Sequence, residues 1–161
     1  MPTPLILAST SRYRREMLQR LRLPFEVLSP EVDETPLPGE APAALALRLS
    51  LAKARAVQQL TRLSGRHVVF QTGVAVVAPG FAQAELAAVR VRFRVLQASE
   101  IEHYLRLEQP YDCAGSAKSE TLGIALLEAI DSDDPTALVG LPLIRTCALL
   151  RAAGIDPLAA P

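Results

Sequence analysis

The pattern of apolar and polar positions switches between strand-like and helix-like periods along the whole chain. Short apolar runs predict strands at 4–8, 25–28, 67–77 and 123–130, and alternation with arginines predicts another at 89–95, with one dry and one basic face. Apolar positions spaced three and four apart predict helices at 11–22, 43–63, 99–107 and 142–152. Because strands and helices interleave, we expect an α/β fold with a mixed sheet.

The longest predicted helix carries a single apolar stripe. Pro42 suits a first helical position and Gly65 suits the position just behind the last turn. The stripe keeps its spacing throughout and consists of Leu45, Leu49, Ala52, Ala56, Leu60 and Leu63. The sequence therefore predicts one unbroken helix here.

The start of the chain is the strongest candidate for chemistry. A strand-like Leu-Ile-Leu-Ala run ends in Ser9 and Ser11, and an arginine-rich helix follows at once. Such a turn offers free N–H groups and hydroxyls at the positive end of the helix dipole. Arg14 and Arg15 add forked donors that suit phosphate. This segment alone fits an anion site and a serine-capped surface helix with solvated arginines equally well.

Composition narrows the choice of partners. The 161 residues include 17 basic and 17 acidic side chains, so a general nucleic-acid binder is not expected. No apolar run is long enough to predict a membrane span. The two cysteines, Cys113 and Cys147, form no disulfide framework or Cys-x-x-Cys pair, which favours a reduced, cytoplasmic protein.

Five segments together resemble the Maf family of nucleotide pyrophosphatases. The sequence Ser-x-Ser-x-x-Arg-Arg after the first strand resembles the family's signature motif. Residues 30–36 resemble its acidic loop, and residues 47–54 resemble its lysine-bearing helix. Cys-Ala-Gly-Ser-Ala-Lys-Ser-Glu at 113–120 resembles the loop of the subfamily that hydrolyses 7-methyl-GTP, and 138–143 resembles the family's last helix. Because the resemblance covers nearly the whole chain, it is stronger evidence than the interpretation of any single segment.

The resemblance implies a fold and a reaction. It implies one domain over 1–161, with a mixed twisted sheet flanked by helices and a nucleotide cleft between two lobes, similar to inosine-triphosphatase-like folds. It implies a homodimer that converts 7-methyl-GTP to 7-methyl-GMP and pyrophosphate with Mg²⁺ or Mn²⁺.

The resemblance also assigns residues. It places the substrate phosphates against Ser9, Ser11, Arg14, Arg15 and Lys53. It gives base specificity to Tyr13 and Glu120, and a metal to Glu34. From the residues alone, Lys53 fits a solvated flank position, Tyr13 a packed surface aromatic, and the acidic loop an ordinary surface loop.

One family segment is missing. The Gly-Ser-Asp-Gln strand, whose aspartate is the expected catalytic base, and a later Gly-Lys-Pro turn occur nowhere in this sequence. We therefore expect a missing strand–loop–strand segment, with its junction near Val57–Gln58, and assign no catalytic residue. The alternatives are a non-catalytic nucleotide-binding or septum-related relative, or the product of a faulty gene model.

Overall fold

A computed structural model describes residues 5–9, 11–28, 42–110 and 114–159. The strands are β1 Leu5–Ala8, β2 Phe25–Leu28, β3 His67–Ala78, β4 Phe81–Phe93 and β5 Leu127–Asp131. The helices are α1 Arg12–Gln19, α2 Pro42–Leu63, α3 Ala98–Glu108 and α4 Leu143–Ala152. Short 3₁₀ turns lie at Ala114–Ser116, Leu122–Leu126 and Ala137–Val139. The predicted mixed α/β class is confirmed.

The described strands form two sheets. β1 pairs with β2 in parallel, with Leu5 opposite Phe25 and Ala8 opposite Leu28. β3, β4 and β5 form the second sheet in that order, and the turn Pro79-Gly80 joins its first two strands into a hairpin. No described strand pairs with the second edge of β1 or of β3.

The chain divides into two compact units, of which the first comprises Met1–Val32, Val69–Val89 and Asp131–Pro161. Its core centres on buried Met17 and Leu18 of α1 and on Leu141. Side chains of β1, β2, β3 and α4 pack around these three, namely Leu5, Leu7, Phe25, Val74 and Leu143. The core thus holds the end of β1 against the start of α1. The prediction of one domain over 1–161 stays a prediction.

The second unit comprises Asp33–Val68 and Arg90–Ile130. Here α2 packs against α3, and the apolar stripe of α2 buries Ala56 and Leu60. As predicted, α2 runs without a break through Val57. No helix within the described segments has both the length and the apolar composition that a membrane span requires.

Several predicted element boundaries were wrong: β4 begins at Phe81 and not at 89, and α1 ends at Gln19 and not at 22. Residues 123–126 belong to a 3₁₀ turn and not to a strand. The Glu108 carboxylate explains this, since it accepts hydrogen bonds from the Thr121 hydroxyl at 2.8 Å and the Leu122 N–H at 3.3 Å and tightens the chain there. The strand predicted to reach 95 ends at Phe93, and Val95 is 71% exposed because buried Leu96 replaces it inside.

A capping interaction closes the N-terminus of α3, just before its first helical residue Ala98. Its N-cap is Gln97, whose N–H donates to the Glu100 carboxylate at 2.8 Å. Arg94 binds the same carboxylate at 2.8 Å, so Glu100 and not Glu102 anchors this end of the helix.

Candidate functional site

Ser9 lies buried at the carboxyl end of β1, where the chain turns towards α1. Its Oγ accepts a hydrogen bond from the Ser11 N–H at 3.2 Å and another from Arg14 Nη1 at 3.2 Å. A hydroxyl oxygen has two acceptor lone pairs and one proton to donate. Both lone pairs are thus used, and within the described segments no acceptor is seen for the Ser9 O–H, which can donate to an incoming oxygen.

Ser11 caps α1, which begins at Arg12. Its backbone is extended, with φ −61° and ψ 118°, and its Oγ accepts the Arg14 N–H at 3.4 Å. The cap leaves the positive end of the helix dipole beside Ser9. Both interpretations of this segment, an anion site and a simple serine-capped surface helix, predict this geometry.

Arg14 distinguishes those two interpretations, because its side chain folds back over the strand end. Nη1 reaches Ser9, and Nε donates to the Gly140 carbonyl at 3.1 Å. Of the five N–H donors of a guanidinium, these bonds use two, which leaves three without a partner among the described residues. A fixed guanidinium with donors to spare is suited to an anion.

Sequence reasoning missed the turn that holds Arg14. Residues 138–143, expected to be helical, form a 3₁₀ turn followed by Gly140 at φ +115°, and α4 begins only at Leu143. The Thr136 hydroxyl accepts the Leu143 N–H at 2.8 Å and lies 2.7 Å from the Leu141 carbonyl. The positive φ explains the glycine, and its carbonyl is thereby aimed at Arg14.

Asp134 completes the support of this turn. It is fully buried, accepts the Arg145 N–H at 3.0 Å and bonds the Thr136 hydroxyl at 3.1 Å. The Arg145 guanidinium lies 3.6 Å from the same carboxylate. The role of Asp134 is therefore structural, because it caps α4. In the sequence, the acidic turn that contains Asp134 was the only signal of this role.

Arg15 and Tyr13 lie on the same helix as Arg14 but point differently. Successive helical residues are about 100° apart, and the Arg15 side chain is exposed. Tyr13 is half-buried, and the Arg12 guanidinium lies 5.2 Å from its ring centroid. Its ring face thus already attracts a cation.

Lys53 and Glu120 belong to the second unit, and both are exposed. The loop before Glu120 is held by α3, since the Tyr104 hydroxyl accepts the Lys118 N–H at 3.0 Å. A Cβ at Gly123 would lie 2.4 Å from the Lys118 backbone, so the loop requires glycine there. The convergence of Lys53 with Arg14 and Ser9 stays a prediction.

The predicted metal ligand Glu34 lies outside the described residues. The described part of the chain brings no three His, Cys, Asp or Glu side chains together in a metal-binding group. Cys147 is half-buried, and burial raises the pKa of its thiol, so it is not an activated nucleophile.

The chain matches known proteins over most of its length. The family model for Maf-like protein matches residues 4–60 and 55–153. A 7-methyl-GTP pyrophosphatase of Polaromonas sp. (strain JS666) is 59% identical over 187 aligned positions, which cover 94% of this chain and 85% of the relative. A 7-methyl-GTP pyrophosphatase of Albidiferax ferrireducens is 54% identical over 191 positions, which cover 97% of this chain and 96% of the relative. A third 7-methyl-GTP pyrophosphatase, of Burkholderia pseudomallei, is 50% identical over 198 positions, which cover 99% of this chain and 92% of the relative.

Two features of these matches concern the predicted junction. The alignment with the Polaromonas relative spans 187 positions, 26 more than the 161 residues of this chain, so at least 26 positions are filled only in the relative. The two parts of the family match meet at 55–60, inside α2. The identities and the coverage leave the family in no doubt: the chain belongs to the Maf family.

Proposed function

We propose that this chain binds 7-methyl-GTP and hydrolyses it slowly to 7-methyl-GMP and pyrophosphate, in the cytoplasm. One observation carries the proposal: Arg14 is fixed on Ser9 at the junction of β1 and α1, and three of its guanidinium donors have no partner in the part of the chain that the structure describes. The names of the relatives support the choice of nucleotide.

The triphosphate is proposed to lie at this junction. The Ser9 hydroxyl and the remaining Arg14 donors would bind phosphate oxygens, next to the positive end of α1. Ser11 fixes the helix start, and Arg15 and Lys53 would add charge that offsets the charge developing on the leaving pyrophosphate. Both side chains are exposed.

The base is proposed to be read by Tyr13 and Glu120. A 7-methylguanine ring carries positive charge, which strengthens its stacking on an aromatic face. The position of the Arg12 guanidinium, 5.2 Å from the Tyr13 ring centroid, supports such an interaction between a cation and this ring. The Glu120 carboxylate, exposed in the structure, would accept hydrogen bonds from the guanine N1–H and amino group.

Slow turnover is part of the proposal, because Gly-Ser-Asp-Gln is absent. Loss of a positioned general base lowers a rate by about 10²–10⁴-fold. The same absence favours a second candidate, a relative that binds the nucleotide without turnover. A divalent cation, Mg²⁺ or Mn²⁺, would be shared between the phosphates and Glu34, whose oxygens suit such ions. No step is assigned to it.

The test measures binding and turnover on one preparation. Calorimetry should show tighter binding of 7-methyl-GTP than of dTTP or UTP, and pyrophosphate release should be slow with either metal. Arg14→Ala should weaken binding strongly, whereas Arg20→Ala, at the other end of α1, should not. Binding without release would establish the second candidate. Equal affinity for all three nucleotides, or no effect of Arg14→Ala, would contradict the proposed site.

A further inference from the structure

The turn that carries Glu120 is closed by its own backbone. The Thr121 N–H donates to the Lys118 carbonyl at 3.1 Å, so residues 118–121 form a hydrogen-bonded turn with Ser119 and Glu120 at its two central positions. Glu120 is exposed at the tip of this turn. Its place in the second unit is therefore set by how the two ends of the turn are held.

Helix α3, in the same unit, holds both ends of the turn. At the start, the Tyr104 hydroxyl accepts the Lys118 N–H at 3.0 Å. At the end, the Glu108 carboxylate accepts hydrogen bonds from the Thr121 hydroxyl at 2.8 Å and from the Leu122 N–H at 3.3 Å. Because Tyr104 and Glu108 are four residues apart, their side chains lie on the same side of the helix. The turn is thus tied to one face of α3 on both sides of Glu120.

Glu108 occupies a position that helix stability does not explain. It is the last residue of α3, where the negative end of the helix dipole disfavours a carboxylate. The side chain is half-buried against the turn, whereas Tyr104 is 3% exposed and is held by the core. The two hydrogen bonds that Glu108 accepts do explain a carboxylate at this position. Its contribution is therefore to the turn and not to the helix.

We propose that Glu108 is a positioning residue for base selection, because it fixes the turn that presents Glu120. This role rests on the proposed function, in which Glu120 accepts hydrogen bonds from the guanine edge. A carboxylate selects one base over another only when its direction is fixed, since a mobile carboxylate can turn to other donors. Glu108 itself touches no nucleotide and acts through Thr121 and Leu122, with Tyr104 as the fixed point at the other end of the turn.

The test measures the affinities for 7-methyl-GTP and UTP by calorimetry and follows their ratio in a set of variants. Glu120→Ala should lower this ratio by about tenfold or more, because the bonds to a charged acceptor are lost. Glu108→Ala should lower it by about three- to tenfold, and should speed amide hydrogen exchange at 119–122. Thr121→Val removes one of the two bonds at an exposed side chain and gives the same comparison if Glu108→Ala does not fold.

Two matched variants separate positioning from charge. Glu108→Gln removes the charge but keeps an acceptor for the Leu122 N–H, so it should retain most of the ratio. Glu102→Ala removes an exposed carboxylate from the same helix and should leave the ratio unchanged. Equal losses in Glu108→Gln and Glu108→Ala, or an equal loss in Glu102→Ala, would show a general effect of charge and would overturn the proposal.

A double variant shows whether Glu108 acts through Glu120. In protein that already carries Glu120→Ala, adding Glu108→Ala should change the ratio by less than about twofold. A further loss as large as that in the unmodified chain would overturn the proposal, and so would an unchanged ratio in Glu108→Ala alone. If Glu120→Ala itself leaves the ratio unchanged, the proposed function fails at base recognition and the role of Glu108 falls with it. The two failures are distinguishable, because a different single variant is without effect in each.

Discussion

The Nε of Arg14 donates to the carbonyl oxygen of Gly140 at 3.1 Å, across 126 residues of sequence. The same guanidinium reaches Ser9 with Nη1. The direction of this side chain is therefore set by a glycine turn from the opposite end of the chain, and not by its own helix.

Substituting Gly140 should weaken nucleotide binding through Arg14. A Cβ at this position would have room, since Arg14 Nε lies 3.8 Å away, but φ +115° is a strained conformation for alanine. Gly140→Ala should cost about 1–3 kcal/mol of stability and raise the dissociation constant for 7-methyl-GTP. The measurements are thermal unfolding and calorimetry.

The control is Gly154→Ala, at φ +86° with open space around it. It should lower stability without changing the affinity for the nucleotide. If both variants lose affinity equally, the Gly140 carbonyl does not position Arg14.

Asp134 and Asp133 should differ sharply in their contribution to stability. Removing the buried Asp134 carboxylate leaves the Arg145 N–H without its acceptor, and leaves the guanidinium with the exposed Asp133 and the Leu86 carbonyl. Asp134→Ala should therefore destabilise the fold by about 3 kcal/mol. The Asp133 side chain is 74% exposed, so its ion pair with Arg145 should be worth at most about 1 kcal/mol. Urea denaturation of both variants measures the difference, and equal losses would contradict it.

Glu100 should make stability depend on pH. The hydrogen bond from the Gln97 N–H, followed by that from Arg94, lowers the pKa of Glu100 from its ordinary value of 4.5. Because the folded-state pKa lies below the unfolded one, the stabilisation is complete above the unfolded value and is lost as pH falls through the folded value. Glu100→Gln should flatten the fall of melting temperature in acid.

Glu102→Gln is the matched control on the same helix. That side chain is 64% exposed and lies 3.6 Å from Arg106. Its substitution should leave the acid dependence unchanged, and an equal effect of the two variants would show that Glu100 has no special role.

Lys53 is tested against Arg55, two positions further along α2. Both side chains are exposed, and residues two apart do not share a helix face. Lys53→Ala should raise the dissociation constant of 7-methyl-GTP by about tenfold, and Arg55→Ala should leave it unchanged. Because both variants remove one positive charge, a general electrostatic effect would weaken binding in both and would contradict a role specific to Lys53.

Local signals predicted much of the fold. The stripe ending in Leu60 and Leu63 predicted α2, and Ser11 predicted the start of α1, since caps and periodicity depend on neighbours in sequence. The contact between Arg14 and Gly140 has no such signal, because no spacing rule links residues so far apart. Asp134 illustrates the same limit: as a sequence position it resembles Asp133, and only burial separates their roles.

The long reach from Arg14 to Gly140 also sets the order of events during synthesis. The carbonyl that holds the guanidinium is made 126 residues after Arg14 itself. At 5–20 residues per second, the arginine waits about 6–25 s for its partner. Arg14 therefore reaches its final geometry long after its own synthesis, and nascent chains that end before Gly140 would carry the arginine without the turn that orients it.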